Sequence, residues 1–440
     1  MHTAHQHLNL SRLFLIGNLS IFMIGLGFAV RASIAADLQR DIFDVLDVAN
    51  SAAMVGEALG ITFTGFALTL LFGSALVELI GMRAMLLLSA TGYVLGSLLV
   101  LAAAWMPVSD SSYWLVLAGL LLTGLGWGAV EAASNPLVAA LYPEEKTHRL
   151  NILHAWWPAG IVVGGLAGVA LAALEWSWQV NLLLLIIPGL VMAVLVMGTE
   201  FPVTERVASG VSYGEMFGEL RRQPMFFLWL ACMFMTAAAE LAPGQWVDLA
   251  LSRVVGMDGI LLLVYISALM FVMRHFAGPI AARISSVGLL WVSSVLAVIG
   301  LYGLSRADSP ATALAAATVW GIGVCYMWPT MLGNVAERFP RGGALFLGLT
   351  GFCGGMAIQF VLPQLGAIFD RAKLEAAGGA ERLATLSGEE LEAVLRYASV
   401  ESFAAVALIP LALIPVFAFI WWRDWRIKTM APQPDGTPVS

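Results

Sequence analysis

Hydrophobic residues in this chain come in long runs rather than short alternating patches. Apolar stretches fall at 13–36, 53–79, 84–106, 112–142, 150–174 and 179–198, and again at 225–252, 259–284, 286–304, 310–336, 342–369 and 401–422. A helix that crosses a bilayer needs about 20 mostly apolar residues. The pattern therefore predicts an all-α integral membrane protein with twelve transmembrane helices. The longest polar interval before the C-terminal third, Thr199 to Pro224, carries Glu200, Glu205, Arg206, Glu215, Glu219, Arg221 and Arg222. It divides the chain into an N-terminal six-helix half (1–199), a cytoplasmic linker (200–223) and a C-terminal six-helix half (224–440) with a long outer loop at 371–401.

Composition agrees with the pattern. Of 440 residues, 60% are hydrophobic and 12% charged, with a mean hydropathy of +0.86. Soluble proteins are about 25% charged. The net charge of −7 is carried by loops and a tail and points to no nucleic-acid partner. Cys232, Cys325 and Cys353 fall in separate apolar stretches, which argues against a disulfide framework or a metal cluster. His2, His5 and His7 read as part of a polar tail, and the first apolar run as a retained helix rather than a signal peptide. No metal or cofactor is expected, and no nucleophile–base constellation or ATP-binding loop marks an enzyme or pump.

Orientation follows from Lys and Arg in the loops. With the N-terminus cytoplasmic, 13 of the 22 basic residues lie on the cytoplasmic side and 7 outside, four of those in the one long loop. Both termini are predicted cytoplasmic, in a multi-pass chain of the cell (inner) membrane that works as a monomer in the lipid bilayer. The loop at 371–401 is amphipathic from Gly388 to Tyr397. It predicts a short helix at the outer surface, a solvated cap or a lid over a cavity mouth.

Arg31 and Arg274 remain inside spans, and so do Glu131 and Glu240. An ionisable group at membrane depth costs roughly 2.5–3.5 kcal/mol on insertion scales, so it marks a pathway or a site by default. At 1.5 Å per residue, Glu131 lies roughly 17 Å, Arg274 roughly 15 Å, Glu240 roughly 24 Å and Arg31 roughly 28 Å from the cytoplasmic ends of their spans. Depth pairs Arg274 with Glu131 and Arg31 with Glu240, both across the halves; within-half pairing is the alternative. In span seven, Pro243-Gly244 follows Glu240, and a proline there predicts a broken helix with Gln245 and Trp246 on a cavity wall; an ordinary proline kink with Trp246 in the outer aromatic belt is the alternative.

The halves echo each other. Gly126, Gly128 and Glu131 in span four have the offsets of Gly321, Gly323 and Tyr326 in span ten, and Pro136 and Pro329 follow. Repeated halves with a polar site at their interface suit alternating access.

Twelve spans around a central linker resemble the major facilitator superfamily. The segment Ser74-x-x-x-Glu78-x-x-Gly81-Met82-Arg83 is similar to its loop signature, with Ser in place of Gly and Glu in place of Asp. Glu131-x-x-x-Asn135, Arg149-Leu150-Asn151-x-x-His154, Glu240 with Trp246, and Met327-Trp328-Pro329-Thr330 resemble the fucose/galactose/glucose:proton symporter branch. The resemblance implies two pseudo-symmetric six-helix halves and proton symport of a sugar. The chain departs from the branch in span one, where Arg31 stands without the acidic residue of the pattern, and in span five, where His154 replaces a glutamine.

On that basis Glu131, Glu240 and His154 are candidates for proton coupling, with Arg31 and Arg274 as charge partners. A sugar needs planar hydrogen-bonding groups for its hydroxyls and rings for its C–H faces. Asn135, Asn151, His154, Gln245 and Gln359 supply the first. Trp157, Trp246, Tyr326 and Trp328 supply the second; adjacent Trp156 and Trp157 point about 100° apart, so at most one faces a cavity. Asn151, near the start of its span, has a helix-capping role as an alternative. The expected function is secondary active transport of a small polar solute, a sugar with protons. Uptake or export of another small metabolite, and a non-transporting receptor on the same fold, are the alternatives.

Overall fold

The computed structural model describes residues 8–47, 51–246, 259–307, 309–383 and 385–430. The expected polar tail with His2, His5 and His7 lies outside the described residues. Eleven described helices are long and apolar enough to span a membrane, and a bent pair makes a twelfth. The N-terminal half comprises α1 (Leu10–Leu38), α2 (Ser51–Ile80), α3 (Met82–Trp105), α4 (Asp110–Leu141), α5 (Lys146–Ala173) and α6 (Leu183–Met197). The C-terminal half comprises α7 (Met225–Trp246), α8 (Gly259–Arg274 with Ala277–Ile284), α9 (Ser286–Leu304), α10 (Pro310–Val324 with Met327–Arg338), α11 (Gly343–Ala377) and α12 (Gly388–Met430). The two pieces of α8 meet at 56°. Large apolar side chains such as Phe72, Val194 and Leu408 are exposed on the outside of the bundle, the surface that meets lipid.

Glycines set the helix contacts and correct the register of the repeat. A Cβ on Gly124 would strike the Thr62 backbone of α2, and one on Gly126 would come within 3.0 Å of the Ser89 carbonyl of α3. In α10, Gly321 faces Ile266 of α8 and Gly323 faces the Ala297 backbone of α9. The equivalent pairs are thus Gly124/Gly126 and Gly321/Gly323, shifted by two residues from the register read off Gly126/Gly128. In the shifted register, the counterpart of Glu131 is Trp328, not Tyr326.

Two expectations about helix continuity do not hold. The outer segment from Gly388 is not a separate surface helix. It runs without a break into α12, 43 residues in all, because no glycine or proline interrupts 389–409. Arg396 fastens it to the Ala307 carbonyl of its own half. Nor is α7 broken at Pro243: the helix continues to Trp246. Proline deprives the carbonyl four residues back of its helical donor, and the Trp320 indole supplies one to Ala239 at 3.2 Å.

At the end that carries the basic loops, here the basic end, polar ties join the halves and the linker. Lys146 of α5 is buried against Glu205 of the linker, 2.8 Å away, and donates to the Ala336 carbonyl of α10. The Thr147 hydroxyl donates to Glu337 at 2.6 Å. Glu78, of the loop signature, pairs with Arg206 and accepts from Thr204, 2.5 Å away. Gly81 ends that turn at φ +88°, a conformation that only glycine adopts freely. Ser74, where the signature has glycine, packs directly on Gly348 of α11, so the small residue at this helix crossing comes from α11 instead.

Candidate functional site

A cavity lies between the halves in the middle of the bundle. Its polar groups are Glu131, His154, Glu240 and Arg274, and its rings are Phe28, Phe63, Phe66, Trp127, Trp157 and Trp328. A second recess shares Phe28, Trp157, Glu240 and Leu241 with it and extends into the C-terminal half. Four charged or titratable groups among six rings match the layout of a ligand site, mostly apolar with a few placed polar atoms.

Glu131 belongs to a three-residue chain within the N-terminal half. Asn135, one turn along α4, donates its amide N–H to Glu131 Oε2 at 2.6 Å. Its amide oxygen accepts from His154 Nε2 at 2.9 Å, and that nitrogen stands 3.7 Å from Glu131. The i, i+4 spacing brings Glu131 and Asn135 onto one helix face; only the packing of α5 on α4 adds His154.

Arg274 ends the first piece of α8, 2% exposed. Nη2 pairs with Glu240 Oε1 at 2.9 Å. Nη1 donates to the His154 carbonyl at 2.6 Å, and Nε to the Cys325 carbonyl at 2.5 Å. Both carbonyls precede a proline by four residues, Pro158 and Pro329, so neither has a helical donor. Two prolines on different helices thus create the acceptors that receive one guanidinium. The second carboxylate oxygen of Glu240 accepts from the Trp328 backbone N–H at 3.2 Å. Every arm of this ion pair is satisfied, as a buried pair requires if attraction is to offset desolvation.

The depth-based pairing of Arg274 with Glu131 and Arg31 with Glu240 is therefore corrected. Straight-helix depth fails because α8 bends just past Arg274, and because freed carbonyls at that level draw the guanidinium to Glu240.

Arg31, 4% exposed, is handled differently. Nη1 donates to the Leu59 carbonyl of α2 at 3.1 Å. The guanidinium sits 4.3 Å from the centre of the Trp127 ring, 5.5 Å from Phe63 and 5.9 Å from Phe28. Among the described residues no carboxylate pairs with it, and its Nε has no acceptor. Ring contacts contribute about 2 kcal/mol at a desolvated site, less than the several kcal/mol that burying an ion costs.

The other candidates divide. Trp157 and Trp328 line the cavity, whereas Trp156 packs edge-on against Phe22 and Phe271. Asn151 does not reach the cavity. It donates to the Thr147 carbonyl at 2.8 Å and to Thr330 Oγ1 at 3.0 Å, a tie between α5 and α10, and Glu145 rather than Asn151 precedes the first turn. Tyr326 spends its hydroxyl on the Met273 carbonyl, 2.8 Å away, beside the bend of α8. Gln359 is exposed on α11; its neighbour Ile358 lines the cavity instead, a turn of about 100° away on the helix. The side chains of Gln245 and Trp246 lie outside the described residues. Sequence reasoning missed Phe28, Phe63, Phe66 and Trp127. Trp127, set between Gly126 and Gly128, carried a signal; the phenylalanines, in uniformly apolar runs, carried none.

The sequence profile described as Major Facilitator Superfamily matches residues 13–361. No curated protein matches the chain. Among solved structures, the E. coli fucose:proton symporter is similar over 90% of this chain and 97% of its own, at 17% identity and a TM-score of 0.64. The E. coli xylose transporter, partially occluded and inward-open, is similar over 98% and 99%, at 13% identity and a TM-score of 0.69. A human organic anion transporter is similar over 93% and 99%, at 11% identity and a TM-score of 0.69. Likeness at such identities shows a common fold and leaves the solute open.

Proposed function

The chain belongs to the major facilitator superfamily, and from that premise we propose that it carries a sugar-like polar solute together with a proton by alternating access. It does so as a monomer in the cell (inner) membrane, with both termini cytoplasmic and the N-terminal and C-terminal halves rocking about the cavity. The sugar and proton symporters among its structural neighbours support this reading, as does a central cavity that combines rings with hydrogen-bonding groups.

The observation that carries the reading is Glu131. It is a buried carboxyl on the cavity wall with no arginine bonded to it among the described residues, held by Asn135 and His154. That trio accommodates a proton without losing its bonds. With Glu131 ionised, Asn135 donates to it and accepts from the Nε2–H of His154. With Glu131 protonated, the Asn135 amide turns over. Its oxygen then accepts from the carboxyl, and its N–H donates to the other histidine tautomer. Glu240, by contrast, has both its carboxylate oxygens taken, by Arg274 and the Trp328 N–H, and serves as the fixed partner of the arginine.

Counterflow of a sugar panel in proteoliposomes, with and without a pH gradient, tests this for the parent and for Glu131→Gln. The substitution is expected to abolish gradient-driven accumulation while exchange continues. Accumulation that persists removes Glu131 as the carrier, and binding without flux in the parent marks a receptor instead.

A further inference from the structure

The unpaired arginine of α1 adds a chemical requirement on the solute. Its guanidinium has two usable edges. Nη1 is committed to the Leu59 carbonyl. The edge formed by Nε and Nη2 has no acceptor among the described residues, and Nε is buried. That edge presents two parallel N–H donors, the fork that receives a carboxylate through two hydrogen bonds. A second buried donor without an acceptor, the indole Nε1 of Trp127, belongs to the ring that the guanidinium faces at 4.3 Å. The rings around the guanidinium, Phe28, Phe63 and Trp127, are also walls of the central cavity, so the fork stands just behind the surface that a solute touches. Tyr93, the titratable group that acts on Arg31 from within its half, is not bonded to it.

We propose that Arg31 is the anion-binding group of the solute site, and that the transported solute is a sugar-like acid bearing a carboxylate. The carboxylate takes the Nε–Nη2 edge of Arg31, with the Trp127 indole as a further donor, and the ring walls take the C–H face of the solute. This rests on the symport reading above and narrows it from polar solutes in general to monoanionic ones. Arg274 cannot serve the same purpose, because Glu240 and two carbonyls already engage its three nitrogens.

Matched probes test the proposal on the full-length protein in proteoliposomes. D-glucuronate and D-galacturonate differ from D-glucose and D-galactose only in a carboxylate at the terminal carbon. Under an inward pH gradient the parent is expected to accumulate the acids at least about 30-fold faster than their neutral partners, the scale of losing one partner of a buried charge pair. Arg31→Gln should remove that preference. Arg31→Lys should retain part of it, since it keeps the charge and loses the fork. Equal or faster uptake of the neutral sugars by the parent overturns the proposal and leaves proton symport standing; this arm needs no variant to fold. An unchanged acid-to-neutral ratio in Arg31→Gln also overturns it. Accumulation of none of the four probes overturns the symport reading itself, and this inference with it.

Discussion

Two arginines at membrane depth, one in each half, meet burial in opposite ways. Arg274 has a carboxylate and two proline-freed carbonyls on three different helices. Arg31 has one carbonyl and three rings. The first arrangement is a finished structural joint. It fixes α5, α7, α8 and α10 around one point at the centre of the protein, with Glu240 as its carboxylate partner. The second leaves donors over, and in the same half Glu131 has no arginine bond among the described residues. Under the proposed symport, the groups that can change are thereby concentrated in the N-terminal half, whereas the clamp ties Arg274 and Glu240 of the C-terminal half to the His154 carbonyl of the other. This asymmetry fits the corrected repeat register, in which the counterpart of Glu131 is an indole, Trp328.

The contrast has measurable consequences for stability. The largest is expected for Arg274→Met, which leaves Glu240 buried without its partner. A loss of about 3–5 kcal/mol is the usual scale, to be read as a drop in the unfolding midpoint in detergent. Glu240→Gln in the same chain should restore much of that midpoint while transport stays lost, since the fixed charge is gone. Arg31→Gln strands no carboxylate and removes a buried charge that has no anionic partner among the described residues, so its unfolding midpoint should not fall as that of Arg274→Met does. A loss as large as that of Arg274→Met would mean that Arg31 has a hidden anionic partner in the protein and would erase the contrast. A smaller effect belongs to Lys146→Ala at the basic end. Removing its contacts to Glu205 and Ala336 should raise amide exchange a few-fold in the first turn of α5, on the scale of one partly exposed ion pair. Unchanged exchange would confine the role of Lys146 to anchoring the linker.

Much of the molecule was legible in the linear chain because lipid imposes its rules locally. A span must be apolar for about 20 residues, so the apolar runs and the superfamily could be read from composition and motif alone. Local spacing also carried part of the site. Glu131 and Asn135 are one helical turn apart on α4, and Pro158 and Pro329 each expose a carbonyl whose position follows from counting four residues back. What those groups meet depends on how helices tilt, bend and rotate against one another, which a uniformly apolar run does not encode. Only the packed structure decided that Arg274 joins Glu240, that Gln359 turns away where Ile358 turns in, that Asn151 and Tyr326 serve helix contacts, and that Phe28, Phe63 and Trp127 gather around Arg31. A bend of 56° in α8 was enough to overturn depth arithmetic. Burial of an apolar span is paid in its own residues, whereas the partner of a buried charge is supplied by other helices, and only their arrangement in space determines which.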